Sequence, residues 1–82
     1  MILVYPKNTQ YNRKHDLIDR TGTILGAKNG QVYFCFELKE TVYFKCSEEV
    51  LKKQFDTEIT EYPVLKESVL KDLRIKCRNY PK

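Results

Sequence analysis

Few residues in this chain have the types and spacing that chemistry needs. The only imidazole is His15, next to Asp16 in a polar stretch, and no cysteine has a histidine within its own strand or turn. A nucleophile–base pair is therefore not visible locally. Cys35, Cys46 and Cys77 are an odd number, contain no C-x-x-C, and are separated by intervals that match no zinc-ligand spacing. They read as small buried hydrophobes in a reducing compartment; the alternative, a Cys35–Cys46 pair on neighbouring strands, would need oxidising conditions. Gly22, Gly26 and Gly30 recur every fourth residue without the GK[ST] ending of a phosphate loop. Glu48 and Glu49 suit the first turn of a helix better than acid–base work. The sequence thus points away from catalysis, and implies no metal and no cofactor.

Cations and tyrosines remain. The 82 residues carry a formal net charge of +4, unevenly distributed. Residues 1–31 hold five basic groups against two acids, residues 32–62 four against seven, and residues 63–82 six against two. Two basic ends flank an acidic middle, and convergence of the ends would create a patch attractive to polyanions. The candidate binding residues are Lys7, Arg13, Lys14, Arg20, Arg74, Lys76 and Arg78, with Tyr33 and Tyr43 as aromatic partners from the strands. Tyr5, Tyr11 and Tyr80 are further aromatic candidates from the ends. Exposed rings beside cations suit single-stranded nucleic acid, and Tyr with Arg equally suits a protein interface. A tyrosine can instead lie on the core with only its hydroxyl wet.

The elements that must position these groups follow from hydrophobic periodicity. In residues 31–37, Val32, Phe34 and Phe36 fall on one side and Tyr33, Cys35 and Glu37 on the other. In residues 41–46, Val42, Phe44 and Cys46 oppose Thr41, Tyr43 and Lys45. Period-two alternation of β-branched and aromatic residues is the mark of a half-buried strand. Asn29-Gly30 provides the positive φ of a tight hairpin between residues 23–25 and 32–36, and Gly26 allows a bulge there. Residues 38–40 reverse the chain again without a turn signature. Ser47 caps a short helix in which Leu51 and Phe55 share a face. Residues 1–5 form a first strand ended by Pro6, and residues 7–16 a long polar connection. Residues 56–62 make an edge strand or loop. Pro63 suits a helix start, with Leu65, Val69 and Leu73 giving a helix over 63–72. Residues 73–78 then alternate as a final strand with Arg74, Lys76 and Arg78 in an outer row, although a continued helix also places Leu73 and Cys77 together.

The expected architecture is one mainly β (α+β) domain over residues 1–82, with a core in 1–55 and a helix/strand extension in 56–82. The opening MILVYP has no basic residue before it and no long apolar run after it, which predicts neither a signal peptide nor a membrane span, and a cytoplasmic location.

Two family resemblances add to this reading. Gly22-Thr23-Ile24, Tyr43-Phe44 and Glu48-Glu49-Val50-Leu51 resemble the small SH3-like barrels encoded by phages and prophages of low-GC Gram-positive bacteria. That likeness covers about half of the chain and implies a barrel of about five strands, with a short helical turn and a C-terminal helix. Met1–Val4, residues 24–32, Lys39-Glu40 and Glu48-Glu49 also resemble the carbon storage regulator family of RNA-binding dimers. The chain departs from that family at Pro6-Lys7, at Lys45-Cys46, and through about thirty additional residues. The expected function is that of a non-enzymatic binding protein acting on nucleic acid or nucleoprotein through the basic ends. The alternatives are a phage- or mobile-element protein that binds and inhibits or redirects a host protein, and a structural component of a virion.

Overall fold

Alternating residues do form the strands, in the register the pattern requires. The computed structural model describes residues 1–59 and 61–80. Within them lie β1 (Ile2–Pro6), α1 (Gln10–Lys14), β2 (Gly22–Lys28), β3 (Gln31–Glu37), β4 (Thr41–Ser47), α2 (Glu48–Gln54), β5 (Phe55–Thr57), α3 (Glu67–Lys76) and β6 (Arg78–Asn79). The strands make one mixed sheet in the order β5-β1-β2-β3-β4-β6. All pairings are antiparallel except β4 with β6, which is parallel. Asn29 and Gly30 both adopt positive φ and close the β2–β3 hairpin. At the β3–β4 turn, the Leu38 N–H donates to the Glu40 carbonyl at 3.0 Å.

The sheet is open, unlike the expected closed barrel, because β5 and β6 are edge strands that do not pair with each other. Side chains bridge the gap instead. The ring of Tyr80, just after β6, lies 5.3 Å from Phe55, the first residue of β5.

Both faces of the sheet are covered. Val4, Ile24, Val32, Phe34, Phe36, Phe44 and Cys46 point inward and meet Leu17, Leu51, Phe55 and Tyr80 in the larger core. On the other face Tyr33 packs with Leu65, Leu70 and Leu73, flanked by Leu25, Tyr43 and Cys77. The route to that face is set at Gly26. There the β2–β3 register shifts, φ is +152°, and a Cβ would sit 2.7 Å from the Pro63 carbonyl oxygen. The backbone of Ala27, just beyond the bulge, takes two bonds from the incoming segment: its N–H donates to Pro63 O at 2.8 Å, and its carbonyl accepts from Leu65 N at 3.1 Å.

Those two bonds explain a difference from the expected helix over 63–72. Residues 63–65 are spent on the sheet, so α3 begins at Glu67 and continues to Lys76. Its buried residues are Leu70 and Leu73, while Val69 is exposed. Of the two readings of 73–78, the continued helix holds through Lys76, the strand begins only at Arg78 and runs to Asn79, and Ile75, which a strand would have turned inward, is 84% exposed. The connection expected over 7–16 contains α1, whose Thr9 hydroxyl accepts a hydrogen bond from the Asn12 N–H at 3.2 Å. Ser47 caps α2 in the same way through Val50 N–H, as the sequence predicts. Of the two alternatives for 56–62, the edge strand holds at Asp56 and Thr57, which end β5 and pair with β1, and the loop holds at residues 58, 59, 61 and 62. No helix among the described residues is long and apolar enough to cross a membrane.

Candidate nucleic-acid interface

The two ends of the chain meet at a buried side-chain junction. Asn12, on α1, is 0% exposed, and its amide donates to Lys7 O at 2.8 Å and Gln54 O at 2.7 Å. Its carbonyl oxygen accepts from the hydroxyl of Tyr80, and the Tyr80 N–H donates to Lys45 O at 2.9 Å. His15 is half-buried rather than solvated. Its ring lies 5.3 Å from that of Tyr80 and 6.1 Å from Phe44, and its Nε2 is buried with no hydrogen-bond partner among the described residues. Burial raises the pKa of the Tyr80 phenol, with nearby Cys46 adding to the effect. The hydroxyl therefore stays protonated and available as the donor to Asn12. None of this was legible in KNTQYNRKHD, where Asn12 looks like any polar residue. Thr9 as a helix cap was the one local signal.

Around this junction the basic candidates divide into three groups. On α1, Arg13 is exposed and its guanidinium donates to Asn8 Oδ1 at 2.8 Å, and Lys14 is exposed beside it. At the β3–β4 tip, Arg20 is held by Asp16, with an Nη2–Oδ2 separation of 3.1 Å and an Nε bond to the Asp16 carbonyl at 2.7 Å. A hollow of about 350 Å³ places Arg20 beside Lys39, Glu40 and Val42. A neighbouring hollow of about 260 Å³ shares Glu40 and Val42 and adds Tyr43, Lys76 and Arg78. Arg20 and the C-terminal cations thus flank the same hairpin. Lys7 stands apart, paired with Asp56 at 3.7 Å in a hollow with Lys52 and Tyr62.

The aromatic candidates fare differently. Tyr33 is 3% exposed beneath α3, so it offers no free ring, and Tyr80 is equally buried. Their side chains lie on core faces, the arrangement in which a tyrosine contributes packing rather than a platform. Tyr43 is partly buried, with the Lys76 ammonium 5.6 Å above its ring centroid. Among the five tyrosines singled out, only Tyr5 and Tyr11 are exposed, at 36% and 43%.

The pairing of charges separates the helices. On α2, Lys52 and Lys53 lie 3.8 and 3.4 Å from Glu48 and Glu49. On α3, among the described residues, Lys76 alone is paired, with Asp72 at 2.9 Å, and that hydrogen bond raises the Lys76 pKa. Arg74, Lys71 and Arg78 are exposed and have no carboxylate within 4.0 Å among the described residues.

The chain matches no known protein family, no curated protein and no solved structure. Its own geometry is what bears on function. Among the described residues no group of three His, Cys, Asp or Glu side chains could hold a metal. The three thiols are free, and Cys35 and Cys46 point to opposite faces of the sheet, so they do not form the cross-strand pair. Burial pushes Cys46 up to about 12 and Cys77 to about 11, and burial with Glu37 nearby raises Cys35. Thiols held in this state are poor nucleophiles.

Proposed function

We propose that this protein is a non-enzymatic binding module for nucleic acid or nucleoprotein. Its contact surface runs from Arg13 and Lys14 on α1, past Arg20 at the β3–β4 tip, to Arg74, Lys76 and Arg78 on α3 and β6. The observation that carries this reading is the Asn12–Tyr80 bond, which ties the basic N-terminal helix to the basic C-terminal segment across 68 positions of sequence. With the ends joined, cations that the sequence separates by some sixty residues act on one partner, and their fields add. The hollows that share Glu40 and Val42 extend the same surface to Arg20. A relationship to the SH3-like barrels of phages belongs to this proposal as an origin, resting on the likeness of the strands and of the Glu48–Leu51 turn.

Salt titration tests the reading. Labelled DNA and RNA are expected to bind at low salt and to weaken steeply as salt rises, because each neutralised phosphate releases counterions. The triple substitution Arg74→Ala, Lys76→Ala, Arg78→Ala should remove most of that binding while leaving the circular dichroism spectrum unchanged. Absence of binding at low salt would overturn the proposal and favour a protein partner, whose apolar interface would respond little to salt.

A further inference from the structure

We infer that the α3–β6 part of this surface grips the phosphates of a double helix and does not stack bases. The inference rests on the nucleic-acid reading above and narrows it to a rigid duplex as the ligand. Two independent observations point this way.

The first is the set of cations without a carboxylate partner among the described residues. Lys71 and Arg74, three residues apart on α3, lie on one ridge of the helix, and Arg78 stands on β6 just beyond its end. Lys45, on the outer row of β4, is in register with Asn79 of β6, which puts a further cation beside Arg78. A helix of ten residues is about 15 Å long, enough to present such a row to successive phosphates. Glu67 and the paired Asp72 are the carboxylates on α3.

The second is the state of the neighbouring rings. Single-strand binders alternate cations with open aromatic faces. Here α3 lies on Tyr33, Lys76 covers Tyr43, and Tyr80 is locked in the inner core. The exposed Tyr5 sits on β1, three strands from β4 in the sheet order, or about 14 Å away at ordinary strand spacing. The apolar side chain exposed next to Arg74 is Ile75, which has no π face. What remains at α3–β6 is charge without a stacking platform, and a double helix supplies the highest density of phosphate for such a surface. DNA and RNA duplexes share this chemistry.

The test compares labelled DNA duplex, RNA duplex and each separated strand, at matched length, over a salt series. Duplex of at least one kind should bind several-fold more tightly than the strands, with similar affinity across unrelated sequences. Lys71→Ala, Arg74→Ala, Arg78→Ala together should flatten the logarithmic salt slope by about 3, one contact per cation at roughly 0.9 each. The paired cations serve as the control: Lys52→Ala with Lys53→Ala should leave duplex affinity within about twofold. Equal or tighter binding of single strands would overturn the inference while leaving the wider reading intact. An unchanged slope in the folded triple variant would also overturn it, since the contact would then lie elsewhere. No binding of any probe at low salt would overturn both.

Discussion

The two faces of the sheet are built from different materials. The inner face is a connected group of rings, in which Phe34 lies 5.0 Å from Phe55, 5.6 Å from Phe44, 6.0 Å from Tyr80 and 6.2 Å from Phe36. The outer face packs Tyr33 against Leu65 and against Leu70 and Leu73 of the one helix that covers it. The inner core draws on β1 to β5, α2 and the residue after β6, so its loss would disconnect the whole chain. The outer core joins α3 to the middle strands, and backbone bonds hold it at both ends: the pair at Ala27 before α3, and the β4–β6 pairing with the Tyr80 N–H on Lys45 O after it. The difference means that the face nearest the proposed partner is also the more easily opened one.

Breaking each face should expose that asymmetry. Phe34→Ala removes a fully buried ring with four aromatic neighbours and should cost about 3–5 kcal/mol. That is a large share of the stability of a domain this small. Urea denaturation should show an early, cooperative transition. Leu73→Ala should cost about 2–3 kcal/mol, toward the low end for a buried leucine because the helix can settle onto the sheet. Native-state hydrogen exchange separates the two. In Leu73→Ala the α3 amides should lose protection while β2 and β3 keep theirs, whereas Phe34→Ala should lower all of them together. Uniform loss in both variants would show that the faces form one cooperative unit.

The same contrast explains what could be read from the sequence. The inner face was legible because its pattern is local: Val32, Phe34, Phe36, Val42, Phe44 and Cys46 each occupy the side that alternation assigned. The Asn29-Gly30 turn, the Gly26 bulge and the Ser47 cap are also short-range signals, and all three are present. The outer face depends on where residues 63–65 land, and only the freed backbone at Ala27 decides that. Without it Tyr33 stayed open between a free ring and one lying on the core, α3 started too early, and residues 73–78 stayed open between a strand and a continued helix. The candidate cations were legible as charge, but their grouping was not. It required Asn12 and Tyr80, whose pairing has no sequence pattern.

That junction gives the next largest effect. Tyr80→Phe keeps the ring on Phe34, Phe44 and Phe55 but leaves the buried oxygen of Asn12 without its donor, at a cost of about 1–3 kcal/mol. Asn12→Ala should cost more, because it strands the Tyr80 hydroxyl as well as the carbonyls of Lys7 and Gln54. Combined, the two should be clearly less than additive in a double-mutant cycle. Additivity would mean that the bond does not couple the ends, and would remove the main support for a joined basic surface.

The smallest effect sets one thiol of each face against the other. Cys46 belongs to the inner core, and burial raises its pKa from 9.0 to about 12; Cys77 flanks the outer core and rises to about 11, drawn back by Lys45. A thiol is charged when deprotonated, so a raised folded-state value favours folding below the unfolded pKa and loses that stability as pH climbs toward the folded value. The window for Cys46 therefore runs from 9 to about 12, and that for Cys77 closes sooner, near 11. Each pH unit inside the Cys46 window costs at most about 1.4 kcal/mol, and the half-exposed Cys77 contributes less because solvent screens its charge. Urea midpoints should be flat up to about pH 8 and fall beyond 9, and Cys46→Ala should reduce that fall. Alkylation of the native protein should modify Cys77 before Cys46, since Cys77 is already partly exposed and Cys46 is reached only when the inner face opens. Modification of both at one rate would show that Cys46 needs no such opening.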